Sequence, residues 1–434
     1  MDRFITSRLL AVLLITALTG CSGVLPTLPT SPPVSSPAVS PTAQPSPSAM
    51  PEQTATPETP SANVLRLWVP PQFDPDSGTP AGSLLKNRLN EFGKLNPDTI
   101  IEVRVKAASG VGGLLDALIT TSSAAPTALP DLIALPRETL EAAALKGVLH
   151  PYGNDALTQN DADWYDYARQ LSRLQNSIFG LPFAGDTLLL IYRPAVIPVP
   201  PSSLTSTLEA ASPLVFPAAD PQALFTLALY EGSGGAIRDA EGRPTLSEAE
   251  LTRVLTFYAQ AESTGLTPAW LADIQTDEQA WQAFQDQRTN LVITWSSRYL
   301  NSADSEIAIA PLPTLDGEPF SLATGWVWAL ASPVSENQGL SVKLAEFLTE
   351  NTFLAQWTEV LGYLPTRPGV LAAWSNKSLF SLMDDILLAS RPYPSNDILA
   401  SLGAPLQQAA LQMLKKQSDP LTAAQFAIQS LTNP

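Results

Sequence analysis

From Val64 onward the chain alternates short apolar runs with segments whose apolar residues recur every third or fourth position. Val64–Val69 reads as a strand stopped by Pro70-Pro71, and Leu84, Leu85, Leu89 and Phe92 follow at helical spacing until Asn96-Pro97. Ile100–Val105 is a second strand, and Leu114, Leu115, Leu118 and Ile119 mark a second helix. Asp131–Leu135 is a third strand, followed by a helix from Arg137 that Gly147 closes. Such repeated switching between the two hydrophobic periods predicts βαβ units, and therefore an α/β fold on a parallel sheet. Ligands of such sheets gather beyond the carboxyl ends of the strands, which puts Pro71–Asp74 and Pro136–Glu138 at the ligand edge.

The pattern continues less regularly. A long strand, Asp186–Arg193, follows Phe179-Gly180-Leu181-Pro182-Phe183, and the proline-rich passage Pro194–Pro217 has no assignment. Ser247-Glu248-Ala249-Glu250 predicts a capping box, and Thr276-Asp277-Glu278-Gln279 opens another helix that buries Trp281 and Phe284. Strands are expected at Asn290–Trp295, Ile307–Ala310 and Gly325–Leu330. The rest is helical: Phe353, Leu354 and Trp357 share a face, with Asn351 as N-cap and Gly362 as stop, and further helices lie at Asp384–Ser390 and Pro405–Lys416.

The N-terminus has a different composition. Arg3 and Arg8 precede an apolar run, Leu9–Leu18, that ends in Thr19-Gly20-Cys21: a secretory signal over residues 1–20. The run is about half the length that spans a bilayer. Residues 21–63 are built almost entirely from Pro, Ser, Thr, Ala and Val with no Lys or Arg, a composition too poor in apolar surface to fold and suited to a tether. The remaining chain, about 370 residues, suits two domains. A formal charge of −17 argues against nucleic acid or an anionic lipid surface as partner. One cysteine allows no internal disulfide, and the single histidine, His150, reads as a loop residue; no metal or cofactor is expected. No Gly-x-Ser-x-Gly elbow occurs, so a serine hydrolase is not expected, although a glycosidase's paired carboxylates are not visible in sequence.

Leu18-Thr19-Gly20-Cys21 resembles the lipobox of bacterial lipoproteins, which implies acylation of Cys21. Further on, Ala128-Leu129-Pro130-Asp131-Leu132-Ile133, Ile178 through Tyr192, Ala283-Phe284 to Trp295, Ala310-Pro311-Leu312-Pro313 with Thr324–Leu330, and Lys343 through Arg367 occur in the order of a known family. They resemble the maltose-binding-protein-like extracellular solute-binding proteins of ABC importers. The resemblance implies a two-lobed periplasmic-binding-protein-like fold (type II), joined by crossover strands near Asp186–Arg193, Pro311–Gly317 and Gly362–Thr366. The lobes are then 64–188 with 314–363, and 189–313 with 364–434. It also implies a monomeric, lipid-anchored binder on the outer face of the cytoplasmic membrane. Such a binder would deliver a mono- or oligosaccharide to a permease by hinge closure. A same-fold binder of another solute, or a receptor feeding a sensor, is the alternative.

Sugar binding needs flat aromatics for C–H faces and fixed polar groups for hydroxyls. Among the nine tryptophans, Trp295 and Trp326 match cleft-facing family positions, whereas Trp281 and Trp357 sit at core spacing. Asp186 opens the first crossover, where the family often bonds ligand hydroxyls, and equally suits a cap. Asp74, Glu138 and Tyr363 complete the expected ligand contacts, with a turn, a helix first turn and a hinge as their respective structural roles. The sequence departs from the family at Tyr192-Arg193-Pro194 and at Leu204, where the family places tryptophan, and has Leu135 where sugar binders often place an aromatic.

Overall fold

The computed structural model describes residues 63–432, apart from 154–162, 211 and 333–334. Cys21, the signal and the tether up to residue 62 lie outside the described residues.

The strands are β1 (Asn63–Val69), β2 (Thr99–Val105), β3 (Leu132–Pro136), a short hairpin of β4 (Arg173–Leu174) and β5 (Ser177–Ile178), and β6 (Gly180–Tyr192). They continue with β7 (Leu214–Val215), β8 (Leu291–Trp295), β9 (Ala308–Ala310), β10 (Ser321–Leu330) and β11 (Ser390–Pro392). The main sheet runs β2-β1-β3-β10-β6-β8-β7, with β11 on β10 and β9 on β6. β1 pairs parallel with β2 and β3, as the βαβ pattern predicts, and β10 runs antiparallel between β3 and β6.

β6 is the strand on which both halves depend. Its first part, to Thr187, pairs with β10; from Leu188 to Tyr192 it pairs with β8 and β9. It starts six residues earlier than the sequence pattern indicates. Pro182 lies inside it, and the β6–β10 register slips there: Ala184 faces Trp326 but Pro182 faces Val327, leaving Phe183 as the extra residue. Proline offers no N–H to a ladder, so a bulge accommodates it, and a proline within the run hides this part of the strand from a pattern search. A second segment lies along the same strand, where Gly185 and Leu364 exchange backbone bonds of 2.7 and 2.8 Å. The backbone there is crowded: a Cβ on Gly185 would sit 2.1 Å from the Tyr167 hydroxyl.

Other differences have local causes. Helix Asn351–Leu361 is capped by Glu350, whose carboxylate accepts from Thr352 and Phe353 N–H, while Asn351 donates to Asp163. Gly362 ends that helix in the left-handed region, φ 73°, as expected. The capping box at Thr276 forms, with Gln279 closing it. Ser247 precedes helix Glu248–Ser263 but makes no side-chain cap; its N–H donates to the Tyr230 hydroxyl. Pro194–Pro217 contains a short helix, Leu204–Leu208, and β7. Helix Asn396–Leu414 runs through Pro405, because buried Ile398, Leu399, Leu402 and Leu406 hold both sides of the proline against the core. A last helix, Pro420–Thr432, was not anticipated.

Trp328 and Trp357 are fully buried and stack with Phe183, at 4.4 Å for Trp328 and 5.4 Å for Trp357. Trp281 is buried against Phe284, as its helical spacing predicts. Among the described residues no helix is long and apolar enough to cross a membrane.

Candidate functional site

The strand β8 buries Leu291, Val292, Ile293 and Thr294 and brings out its last residue, Trp295, half-buried. Its ring stacks on Tyr393 at 6.1 Å between centroids and 22° between planes. Two cavities meet on Trp295. One, about 340 Å³, is lined by Asp220, Gln222, Thr276, Asp277 and Tyr393. The other, about 550 Å³, is lined by Asp277, Trp281, Arg298, Asn301 and Tyr363. Concave spaces of this size, with an aromatic floor and a few fixed polar groups, suit a small polar ligand.

The polar groups are held in place by the fold. Asp277, at the first turn of its helix, accepts from Arg298 Nε at 2.8 Å and from the Thr294 hydroxyl. Arg298 also pairs with Glu278 at 2.6 Å. The Tyr393 hydroxyl donates to Gln222 Oε1 at 2.5 Å. Burial raises its pKa, helped by the charges of Glu138 and Asp220. Asp220 accepts from the N–H groups of Gln222 and Leu224, and burial raises its carboxyl above the usual range.

The residues expected from sequence are placed as follows. Trp295 and Tyr363 line the same cavity. Burial pushes the Tyr363 hydroxyl up to about 12, with the Trp326 indole opposing the shift. Trp326 is half-buried, lines neither cavity, and sits edge-on to Phe73 at 5.0 Å. Asp186 lies beneath the cavity and is fully engaged. Its Oδ1 accepts from Ser296 Oγ at 2.6 Å and Ser297 N at 2.9 Å, and its Oδ2 from Ser297 Oγ at 2.6 Å. Desolvation lifts it to about 6 against those bonds. It therefore pins the start of helix Ser296–Leu300, directly after Trp295, and positions the aromatic.

Glu138 is exposed at the first turn of helix Arg137–Leu145; its carbonyl accepts from Asn396 Nδ2 and its charge reaches Tyr393. Asp74 serves a turn, accepting from the N–H of Asp76, and lines neither cavity. Tyr393, Gln222, Asp220 and Arg298 were not singled out from sequence. For Tyr393 a signal existed: an aromatic held between Pro392 and Pro394 is a rigid extended segment. Among the described residues, no group of three or more His, Cys, Asp or Glu could hold a metal ion.

Near the same aromatics, Glu231 has a buried Oε1 without a partner, and burial raises its carboxyl from 4.5 to about 7, with Arg391 opposing. The folded state thus binds this proton more tightly than the unfolded chain. The stabilising effect is complete below about 4.5 and is lost as pH rises through about 7. Glu231→Gln should remove this dependence: between pH 5 and pH 8 the natural chain should lose about 1–3 kcal/mol relative to the variant in urea unfolding. Parallel pH profiles would place the proton elsewhere.

Residues 87–381 match the family profile of bacterial extracellular solute-binding proteins. No curated protein sequence matches the chain. Among solved structures, the sugar-binding protein MalE from the phytopathogen Xanthomonas citri superposes with a TM-score of 0.71 at 17% identity, over 86% of this chain and 97% of that one. The maltose-binding periplasmic protein MalE from Listeria monocytogenes, solved with maltose, gives 0.69 at 15% identity, over 86% and 97%. The GacH receptor of Streptomyces glaucescens, solved unliganded and with acarbose, gives 0.64 at 16% identity, over 86% and 98%. At these identities the likeness is one of fold, a two-lobed α/β architecture.

Proposed function

Because the chain belongs to the bacterial extracellular solute-binding proteins, we propose that it captures a saccharide around Trp295 and delivers it to an ABC permease. The observation that carries this reading is the Trp295–Tyr393 stack, with cavities on Trp295 whose walls hold Asp277, Arg298 and Gln222 in place. Aromatic faces match sugar C–H faces, and pre-bonded polar groups offer hydroxyls fixed partners without further ordering. The binding of maltose and acarbose by proteins of the same fold supports the solute class.

In this reading the lobes are 64–188 with 314–363 and 189–313 with 364–434. The packing of helices Asn396–Leu414 and Pro420–Thr432 on Glu248–Ser263 supports that division, whereas helix Pro368–Ala373 packs on Asn351–Leu361 of the first lobe. A solute touching both lobes favours the closed state by its differential affinity, and the permease reads shape.

The test is a thermal-shift screen against saccharides, amino acids and polyamines. A solute at about 100 times its Kd stabilises by about 2.7 kcal/mol. A shift with saccharides alone supports the proposal; a shift only with another class replaces saccharide by that class, and turnover of an oligosaccharide would make the protein an enzyme.

Anchoring through acylated Cys21 completes the proposal and rests on the Leu18–Cys21 motif and the tether behind it. More than one acyl chain holds a soluble domain at a membrane. Cys21→Ser should move the protein from the membrane fraction to the soluble fraction and leave solute affinity unchanged; retention at the membrane would remove the anchor from the account.

A further inference from the structure

Tyr393 is also a wall of a third cavity, about 370 Å³, whose lining among the described residues includes Arg137, Arg173, Arg238 and Arg391 but only one carboxylate, Glu231. The chain carries 24 basic and 41 acidic residues, so four guanidinium groups around one cavity reverse the sign of the protein's overall charge at this place.

The four are not equally engaged. Arg238 is held by both oxygens of Asp397, each at 3.1 Å. Arg137 is the informative one. It is 9% exposed, and its Nε and Nη1 are buried without a hydrogen-bond partner. Its nearest carboxylate, Glu141, lies 3.8 Å from Nη2, too far for a hydrogen bond. Glu141 is committed elsewhere, accepting from Asn396 N at 3.1 and 3.2 Å. Arg391 lies over the Phe320 ring at 5.5 Å and is exposed, and like Arg173 makes no ion pair among the described residues. A buried guanidinium with unpaired N–H groups is costly to keep, and beside it Arg391 and Arg173 are the exposed forks that a planar carboxylate in the cavity fits best.

We propose that this cavity is a subsite for the carboxylate of an acidic saccharide, a uronate, whose neutral ring rests on Tyr393 and Trp295. The proposal rests on the saccharide reading of the cleft and narrows it to a charged class. Tyr393 is the shared wall, lining both this cavity and the one over Trp295, and the proposal takes one ligand to lie across it.

The test is titration calorimetry of the protein at low salt with digalacturonate and glucuronate, beside α-1,4-galactobiose and glucose, and with acetate as the free anion. The expected result is that a uronate binds at least tenfold more tightly than its neutral counterpart, and that Arg391→Gln, at an exposed position, removes most of that preference. Arg137→Lys, which keeps the charge but loses the fork, should reduce it as well. Neutral sugars binding as tightly as uronates, or a preference untouched in folded Arg391→Gln, overturns the subsite and leaves the saccharide proposal standing. Acetate binding as tightly as the uronates assigns the cavity to free anions and overturns the saccharide-borne carboxylate. If no saccharide of either kind binds, the saccharide reading itself falls.

Discussion

If the cleft takes a saccharide as proposed, replacing Trp295 by alanine should lower its affinity by about 30-fold or more, the scale of a central aromatic anchor, and should leave the protein folded. Two features set this expectation. The indole is half-buried at the end of β8, so its loss opens little space in the core, and stability should stay within about 1 kcal/mol of the natural chain. Yet it borders both cavities and stacks on Tyr393, so a ligand loses its principal apolar face. Calorimetric titration gives the affinity, and urea unfolding gives the stability. A variant that binds normally would remove Trp295 from the site; one that fails to fold would make it a core residue.

Trp357→Ala should give the opposite pattern. This indole has no exposed surface and stacks on Phe183 at 5.4 Å and on Phe353 at 5.3 Å, while its N–H donates to the Ala81 carbonyl at 3.2 Å. Truncation leaves a cavity and an open carbonyl, at a cost of about 3–5 kcal/mol. For a chain of this size that lowers the thermal midpoint by about 5 °C. The same cluster reaches Phe73, which supports Trp326 and Tyr363, so the first half's core and the rim of the cleft are continuous. A loss below 1 kcal/mol would show that the aromatic stack relaxes around the gap.

What the sequence revealed depended on the range of the interaction involved. β1, β2 and β3 were legible because their apolar runs and flanking turn residues are local. β6 was half legible: its second part carries the continuous apolar run Leu188–Ile191 of a strand buried on both faces, but Pro182 and the bulge at Phe183 hide the first. Trp295 was visible because it closes a strand at a place that resembles a cleft-facing position of the family. Tyr393 was not, because its importance depends on β11 joining β10 some 70 residues earlier in the chain, and on Gln222 from yet another segment. Asp186 shows the same limit. Position identified it as a crossover residue, but only the fold brings Ser296 and Ser297 to its oxygens from 110 and 111 residues away. Likewise, nothing local to Arg137 shows that Glu141, one turn along, is taken by Asn396.

The central claim is that a saccharide in the Trp295 cleft is converted into a change of protein shape that a permease can read. Small-angle X-ray scattering of the protein with and without a saccharide that raises its melting temperature tests this most directly. A smaller radius of gyration is expected at saturation, with no such change in Trp295→Ala at the same ligand concentration. An identical radius of gyration in the free and saturated protein would contradict it.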